Sequence, residues 1–112
     1  MYKIYGIPNC NTVKKALNHL DSSKKEYEFI NFKKTPPTKT QLKLWKDAFG
    51  DWPVNKKGPT YRKIKEEFEA ANAAEKYKIL IETTSAIKRP ILMKNDKVIT
   101  FGYDEDAYKK VK

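Results

Sequence analysis

Cysteine is almost missing from this sequence. Cys10 is the only one in 112 residues, and His19 is the only histidine. A lone cysteine cannot close an intramolecular disulfide or form a Cys-only zinc site. With one of each, a structural metal centre would have to draw its other ligands from carboxylates. Glycine is scarce as well, at four residues. No GxGxxG, GxxxxGK(S/T) or HExxH run occurs, which excludes Rossmann, P-loop and zinc-protease readings. No apolar run approaches the ~20 residues of a membrane span. The opening Met1-Tyr2-Lys3-Ile4-Tyr5-Gly6 lacks the apolar core of a signal peptide. A cytoplasmic address is therefore expected.

What is present points to one soluble domain. The length suits a single core. Aromatic residues make up 12% of the chain, too many for a disordered segment. Lysine plus arginine is 24 and aspartate plus glutamate is 14, so the net charge is +10. Such a charge raises non-specific affinity for polyanions and disfavours self-association, so a monomer is expected. The pairs Lys14-Lys15, Lys24-Lys25, Lys33-Lys34 and Lys56-Lys57 are spread along the chain. They read as solvated faces, and nucleic acid is expected to bind only non-specifically.

Hydrophobic periodicity orders the elements. Tyr2 to Ile7 is β-branched and aromatic and ends at a Gly6–Pro8 turn, which predicts a strand. Val13, Ala16, Leu17 and Leu20 lie on one face of a helix that Asp21-Ser22-Ser23 closes. Tyr27 to Phe32 predicts a second strand, parallel to the first because a helix intervenes. Thr35-Pro36-Pro37-Thr38 breaks regular structure. Thr40 is the expected cap of a helix with Leu42, Trp45 and Phe49 inward, closed by Gly50. A loop from Asp51 to Pro59 leads to a stripe of Tyr61, Ile64, Phe68 and Ala71. Ala73 to Glu82 predicts another helix, with Tyr77, Leu80 and Ile81 inward. Ile91-Leu92-Met93 and Lys97 to Phe101 flank Asn95-Asp96, a hairpin. Asp104, Ala107, Tyr108 and Val111 predict a last helix, with acidic residues at its positive end. The whole is a small α/β domain with a mixed sheet of about four strands and a helical block over about 40–84.

Cys10 falls between the first strand and the first helix. Unpaired N–H groups and the dipole at a helix N-terminus favour a thiolate. Thr12 is placed to donate its hydroxyl to the sulfur, and Lys14 adds a positive charge one turn on. The polar neighbours Asn9, Asn11 and Thr12 oppose burial in an apolar core. Cys10 therefore reads as a reactive cysteine of lowered pKa. His19 lies nine residues further along the same helix, about 13 Å along its axis. It cannot be the base for that sulfur and reads as a solvated surface histidine.

Three separated motifs then carry a resemblance. The run Tyr5-Gly6-Ile7-Pro8-Asn9-Cys10-Asn11-Thr12-Val13-Lys14-Lys15-Ala16 resembles the opening of the arsenate-reductase (ArsC)-like family, in its Spx/YffB branch. Lys57-Gly58-Pro59-Thr60-Tyr61-Arg62-Lys63 and Ile87-Lys88-Arg89-Pro90-Ile91-Leu92 are similar to two further segments of that branch, in the same order. Gly102-Tyr103 stands where the branch has a similar pair. The resemblance spans essentially the whole chain. It implies a thioredoxin-like fold and a cis Pro90 beside the cysteine. It implies Cys10 as nucleophile and Arg89 as an anion-holding arginine. Lys57 stands near the position of a second arginine, keeping the charge without the planar fork. The third arginine has no counterpart, Gly102-Tyr103 lying near its place, so efficient arsenate reduction is not expected.

Two functional classes follow. In the first, Cys10 attacks a mixed disulfide or oxyanion, and glutathione completes the reaction as co-substrate. No bound cofactor is expected. Arg89, Pro90, Lys57, Arg62, Thr12, Lys14 and Asn11 are the candidate substrate- or glutathione-binding residues. For Lys57 and Arg62 a solvated charge is an equal reading, and Asn11 and Thr12 also suit turn and cap roles. In the second class the chain is a protein-binding regulator like Spx, with RNA polymerase or another protein as partner. Val13 stands where a C-x-x-C pair would need its second cysteine, so no intramolecular redox switch of that kind can form. Trp45 reads as core, whereas Trp52 suits core or interface.

Overall fold

A computed structural model describes residues 2–8 and 10–109. The contributions expected of Asn9 and Val111 lie outside the described residues. The elements in chain order are β1 (Tyr2–Gly6), α1 (Asn11–Ser22), β2 (Tyr27–Asn31), α2 (Lys39–Phe49), α3 (Pro59–Ala70), α4 (Ala73–Glu82), β3 (Ile91–Lys94), β4 (Lys97–Phe101) and α5 (Glu105–Lys109). Contacts divide the chain into two compact units, residues 1–35 with 89–112, and residues 36–88. Among the described residues no helix is long and apolar enough to cross a membrane.

The first unit is built on a four-stranded sheet in the order β2-β1-β3-β4. β1 pairs parallel with β2, Ile4 opposite Phe29, as the intervening helix requires. It pairs antiparallel with β3, Ile4 opposite Leu92. β3 and β4 form the hairpin, and Asn95 takes the left-handed conformation (φ 57°) that its turn demands. The central strands are the most buried, and their side chains meet α1 and α5. Tyr2, Ile4, Ala16, Leu20, Leu92 and Tyr108 form one buried cluster. Val13, Ala16 and Leu20 turn inward from α1, as their spacing predicts.

Gly6 sets how closely α1 approaches the sheet. A Cβ built there would lie 2.9 Å from Cγ2 of Val13, inside any normal contact. Valine has no flexible end to swing aside, so the helix start would have to move. Gly6→Ala is expected to cost about 1–3 kcal/mol, read as a lower urea midpoint with an unchanged slope.

The second unit holds α2, α3, α4 and a short 3-10 turn, Thr84–Ala86. Val54 bridges to Ile87. Its buried side chains include Leu42, Trp45, Val54, Tyr61, Phe68, Leu80 and Ile87. The cap of α2 is Thr38, not Thr40. Thr38 is extended (φ −88°, ψ 163°), and its hydroxyl accepts from the Gln41 N–H while the Gln41 side chain accepts from the Thr38 N–H. That reciprocal pair satisfies two end groups at once, which Thr40 inside the first turn cannot do. Gly50 ends α2 in the left-handed conformation (φ 85°), as predicted. Phe49 is 40% exposed rather than inward. It is the last residue of α2, on the same stripe as Leu42 and Trp45 but at the end where less of the neighbouring surface covers it. Trp52 is half-buried, edge-on to Phe68 and Tyr77, with the ammonium groups of Lys46 and Lys76 over its ring.

Candidate functional site

Cys10 is the N-cap of α1. Its backbone is extended (φ −102°, ψ 124°), and its carbonyl accepts the first helical hydrogen bond, from the Lys14 N–H at 2.9 Å. Its own N–H donates to the Ile7 carbonyl at 3.3 Å, which closes the turn after β1. The thiol is half-buried and is a free cysteine. The Thr12 and Val13 N–H groups at the helix start act on the sulfur, and the helix dipole adds to them.

The environment of the sulfur resolves to opposing effects. Partial burial pushes the thiol up, the largest single effect. The backbone N–H groups of Val13 and Thr12, then the charge and hydrogen-bonding capacity of Arg89, push it down and together prevail. The thiol is therefore held below its ordinary value. Thr12 contributes through its backbone N–H. Val13 buries its side chain in the core. It is also the third residue of a helix capped by Cys10, and that position alone could have identified its N–H as a donor.

Arg89 arrives from the far part of the chain. β3 begins at Ile91, which pairs with Tyr5 near the end of β1. The residues just before β3 therefore lie at the same sheet end as the turn that carries Cys10. The Arg89–Pro90 bond is cis, as the resemblance implied. Pro90 is buried, and its carbonyl accepts from the Gly102 N–H at 2.7 Å. Gly102 adopts φ 75°, a conformation that favours glycine. Arg89→Ala is expected to raise the pH midpoint of Cys10 alkylation and to slow iodoacetamide labelling at neutral pH, because the charge that favours the thiolate is gone.

The other candidates divide. Asn11 and Lys14 are exposed on the first turns of α1, and Thr12 is half-buried there. Lys57 and Arg62 belong to the second unit, in the loop before α3 and in its first turn, and both are exposed. His19 corrects the sequence reading. It is half-buried, its Nδ1 lies 3.2 Å from the Tyr103 hydroxyl, and its ring meets Tyr108 edge-on at 5.7 Å. The chain after β4 returns at Gly102 and lays Tyr103 against α1, a contact no local pattern announces. Tyr108 is buried, and among the described residues its hydroxyl has no hydrogen-bond partner. Burial, with Tyr103 adding to it, holds its phenol well above the usual range. Among the described residues no three His, Cys, Asp or Glu side chains gather as a metal site would need.

Comparison with known proteins places this geometry. Residues 5–111 match the model of the ArsC family. An uncharacterized protein of Haemophilus influenzae is 33% identical over 112 residues, 96% of this chain and 96% of that protein. The solved structure of a YffB protein superposes with a TM-score of 0.86 at 33% identity, covering 97% of this chain and 96% of that one. A structure described as a possible arsenate reductase from Streptococcus mutans UA159 gives a TM-score of 0.76 at 30% identity, over 92% of this chain and 91% of that one. The architecture shared with these neighbours is the thioredoxin-like α/β fold that the resemblance implied. With a family match running through nearly the whole chain and relatives aligned end to end, this chain belongs to the ArsC family.

Proposed function

We propose that this chain is a thiol reductase that works with one cysteine and uses glutathione as co-substrate. The observation that carries the reading is the lowered thiol of Cys10, capping α1 beside Arg89. A thiolate is the attacking species in disulfide exchange, and one such group with an external thiol suffices. In the first step the Cys10 thiolate attacks the glutathione sulfur of a mixed disulfide, R–S–S–G. A Cys10–S–S–G bond forms, the S–S bond of the mixed disulfide breaks, and RS⁻ leaves and takes a proton. In the second step a glutathione thiolate attacks the bound glutathione sulfur. Glutathione disulfide leaves and the Cys10 thiolate returns. The balance is R–S–S–G plus glutathione giving R–SH plus glutathione disulfide.

The protein groups have stated parts in this scheme. The Val13 and Thr12 N–H groups and Arg89 hold the Cys10 negative charge before attack and receive it again afterwards. Lys14 and Asn11, exposed on the first turns of α1, suit the carboxylates and amides of glutathione. Lys57 and Arg62 are exposed cations of the second unit, each suited by its charge to an anionic ligand.

The test is the pH dependence of Cys10 alkylation, with and without glutathione, alongside turnover of the mixed disulfide of glutathione and 2-mercaptoethanol. A midpoint below the free-cysteine value of about 8.5, protection by glutathione, and turnover are expected. An ordinary midpoint with neither protection nor turnover would overturn the reading and favour a protein-binding role.

A further inference from the structure

One face of α1 forms a polar row that starts beside the cysteine. Asn11, Lys15, Asn18 and Ser22 are spaced by four, three and four residues, which stacks them on a single side of the helix. All four are exposed, while Val13, Ala16 and Leu20 bury the opposite side. The lower half of the row opens into a groove of about 390 Å³ lined by Lys15, Asn18, His19, Ser22, Ser23 and Tyr103. The His19–Tyr103 contact forms one wall of it. Beyond Asn11, none of these features is used by the two chemical steps above.

Positive charge gathers at the start of the row. The first turn of α1 holds no acidic residue. Its N-terminal dipole, Arg89, Lys14 and Lys15 make the cysteine end positive. The acidic residues Asp104, Glu105 and Asp106 follow Tyr103 in the chain, and Lys24 and Lys25 follow Ser23. Lys15 is five residues beyond Cys10, about 7.5 Å along the helix axis. An extended chain advances about 3.3 Å per residue, so Lys15 faces the substrate residue about two places from the reacting sulfur. Ser22 lies about 18 Å along by the same measure, room for about five extended residues. The side chains of the row offer hydroxyl and amide groups, which suit a peptide backbone better than an apolar side chain.

We propose that this row is a polypeptide subsite: the physiological mixed disulfide is carried by a protein, in an extended segment with an acidic residue about two places from the modified cysteine, and that residue pairs with Lys15. The inference rests on the thiol-reductase reading and names its substrate class. A small mixed disulfide would reach Cys10 and leave the row unused. A glutathionylated segment would lie along α1 as the leaving thiol during the first step.

The experiment uses the whole chain and two glutathionylated decapeptides. One carries aspartate two places on each side of its cysteine, the other lysine at the same places. The wild type is expected to favour the aspartate peptide by about fivefold to tenfold in kcat/KM at low salt, the range open to exposed charge pairs of both signs. Lys15→Glu is expected to reverse that order, and Lys15→Ala to bring the ratio close to one. In ~1 M salt, where the screening length is about 3 Å, the wild-type preference should vanish. Equal rates for the two peptides, or a preference that survives Lys15→Glu, would overturn the inference. So would a Lys15→Glu effect confined to the KM for glutathione, which would give the row to the co-substrate. The small mixed disulfide separates the two levels. Its turnover without peptide discrimination removes only the subsite. No turnover of it or of either peptide removes the reductase reading and the subsite with it.

Discussion

Cys10→Ser is expected to reduce mixed-disulfide turnover to the uncatalysed rate while leaving the protein as stable as before, or more so. A serine oxygen cannot form the Cys10–S–S–G intermediate, and the chain has no second thiol to take its place. Stability should move the other way. Cys10 occupies an N-cap without making a side-chain capping hydrogen bond. Serine is among the preferred N-cap residues and can accept from the Val13 N–H, a gain of up to about 1 kcal/mol. Activity and urea midpoint measured on the same sample would show the two effects together. Residual turnover equal to wild type would sink the thiol mechanism outright.

The same variant has a pH signature. The folded thiol ionises at lower pH than the unfolded one, so the folded chain gives up its proton first. Stability then rises with pH between the two midpoints and is fully present above the unfolded value. It is lost as pH falls through the folded midpoint. Cys10→Ser removes this dependence. The difference between wild-type and variant stability should therefore shift in favour of the wild type as pH is raised through that window, and stay flat below it.

Trp45→Ala is expected to cost about 3–5 kcal/mol, the range for removing a buried large aromatic side chain. The indole is 0% exposed. Total stabilities of about 5–15 kcal/mol make such a loss enough to leave much of the population unfolded on mild heating. Trp45→Phe should recover most of it, since a ring of similar character refills part of the cavity. Phe49→Ala on the same helix is the matched control. Phe49 is 40% exposed, and its removal should cost well under half as much. Urea midpoints followed by far-ultraviolet circular dichroism would rank the three. A Phe49→Ala loss as large as that of Trp45→Ala would contradict the burial described for α2.

The two aromatic residues also show how far periodicity carries. Leu42, Trp45 and Phe49 fit one helical stripe, yet only the first two are buried. A stripe states which residues share a face, not where the neighbouring surface ends. Thr38 and Thr40 teach the same point at the other end of α2. Either is a good capping residue by type, and the choice fell to the one with Gln41 three places on. That signal was present in the sequence as T-K-T-Q and could have been read.

The candidate site splits along the same line. The cysteine, its place between strand and helix, and the direction of its thiol shift follow from a few adjacent residues, because helix capping and the helix dipole are local. Arg89 was assigned through motif resemblance alone. What brings it to Cys10 is the antiparallel register of β3 against β1, a pairing between segments far apart in the chain. His19 shows the cost of reading locally. On its helix it looks solvated, and only the return of the chain at Gly102 covers it with Tyr103.

The sequence by itself determined the elements and the place of the cysteine among them. Apolar spacing, a proline or glycine at an end, and one cysteine before a helix are properties of neighbouring residues. The tertiary structure decided which distant groups face that cysteine and which helix faces are covered. Those outcomes depend on strand order and on the close approach of α1 allowed by Gly6. They arise from packing between segments that share no local pattern, so they become visible only once the chain has folded.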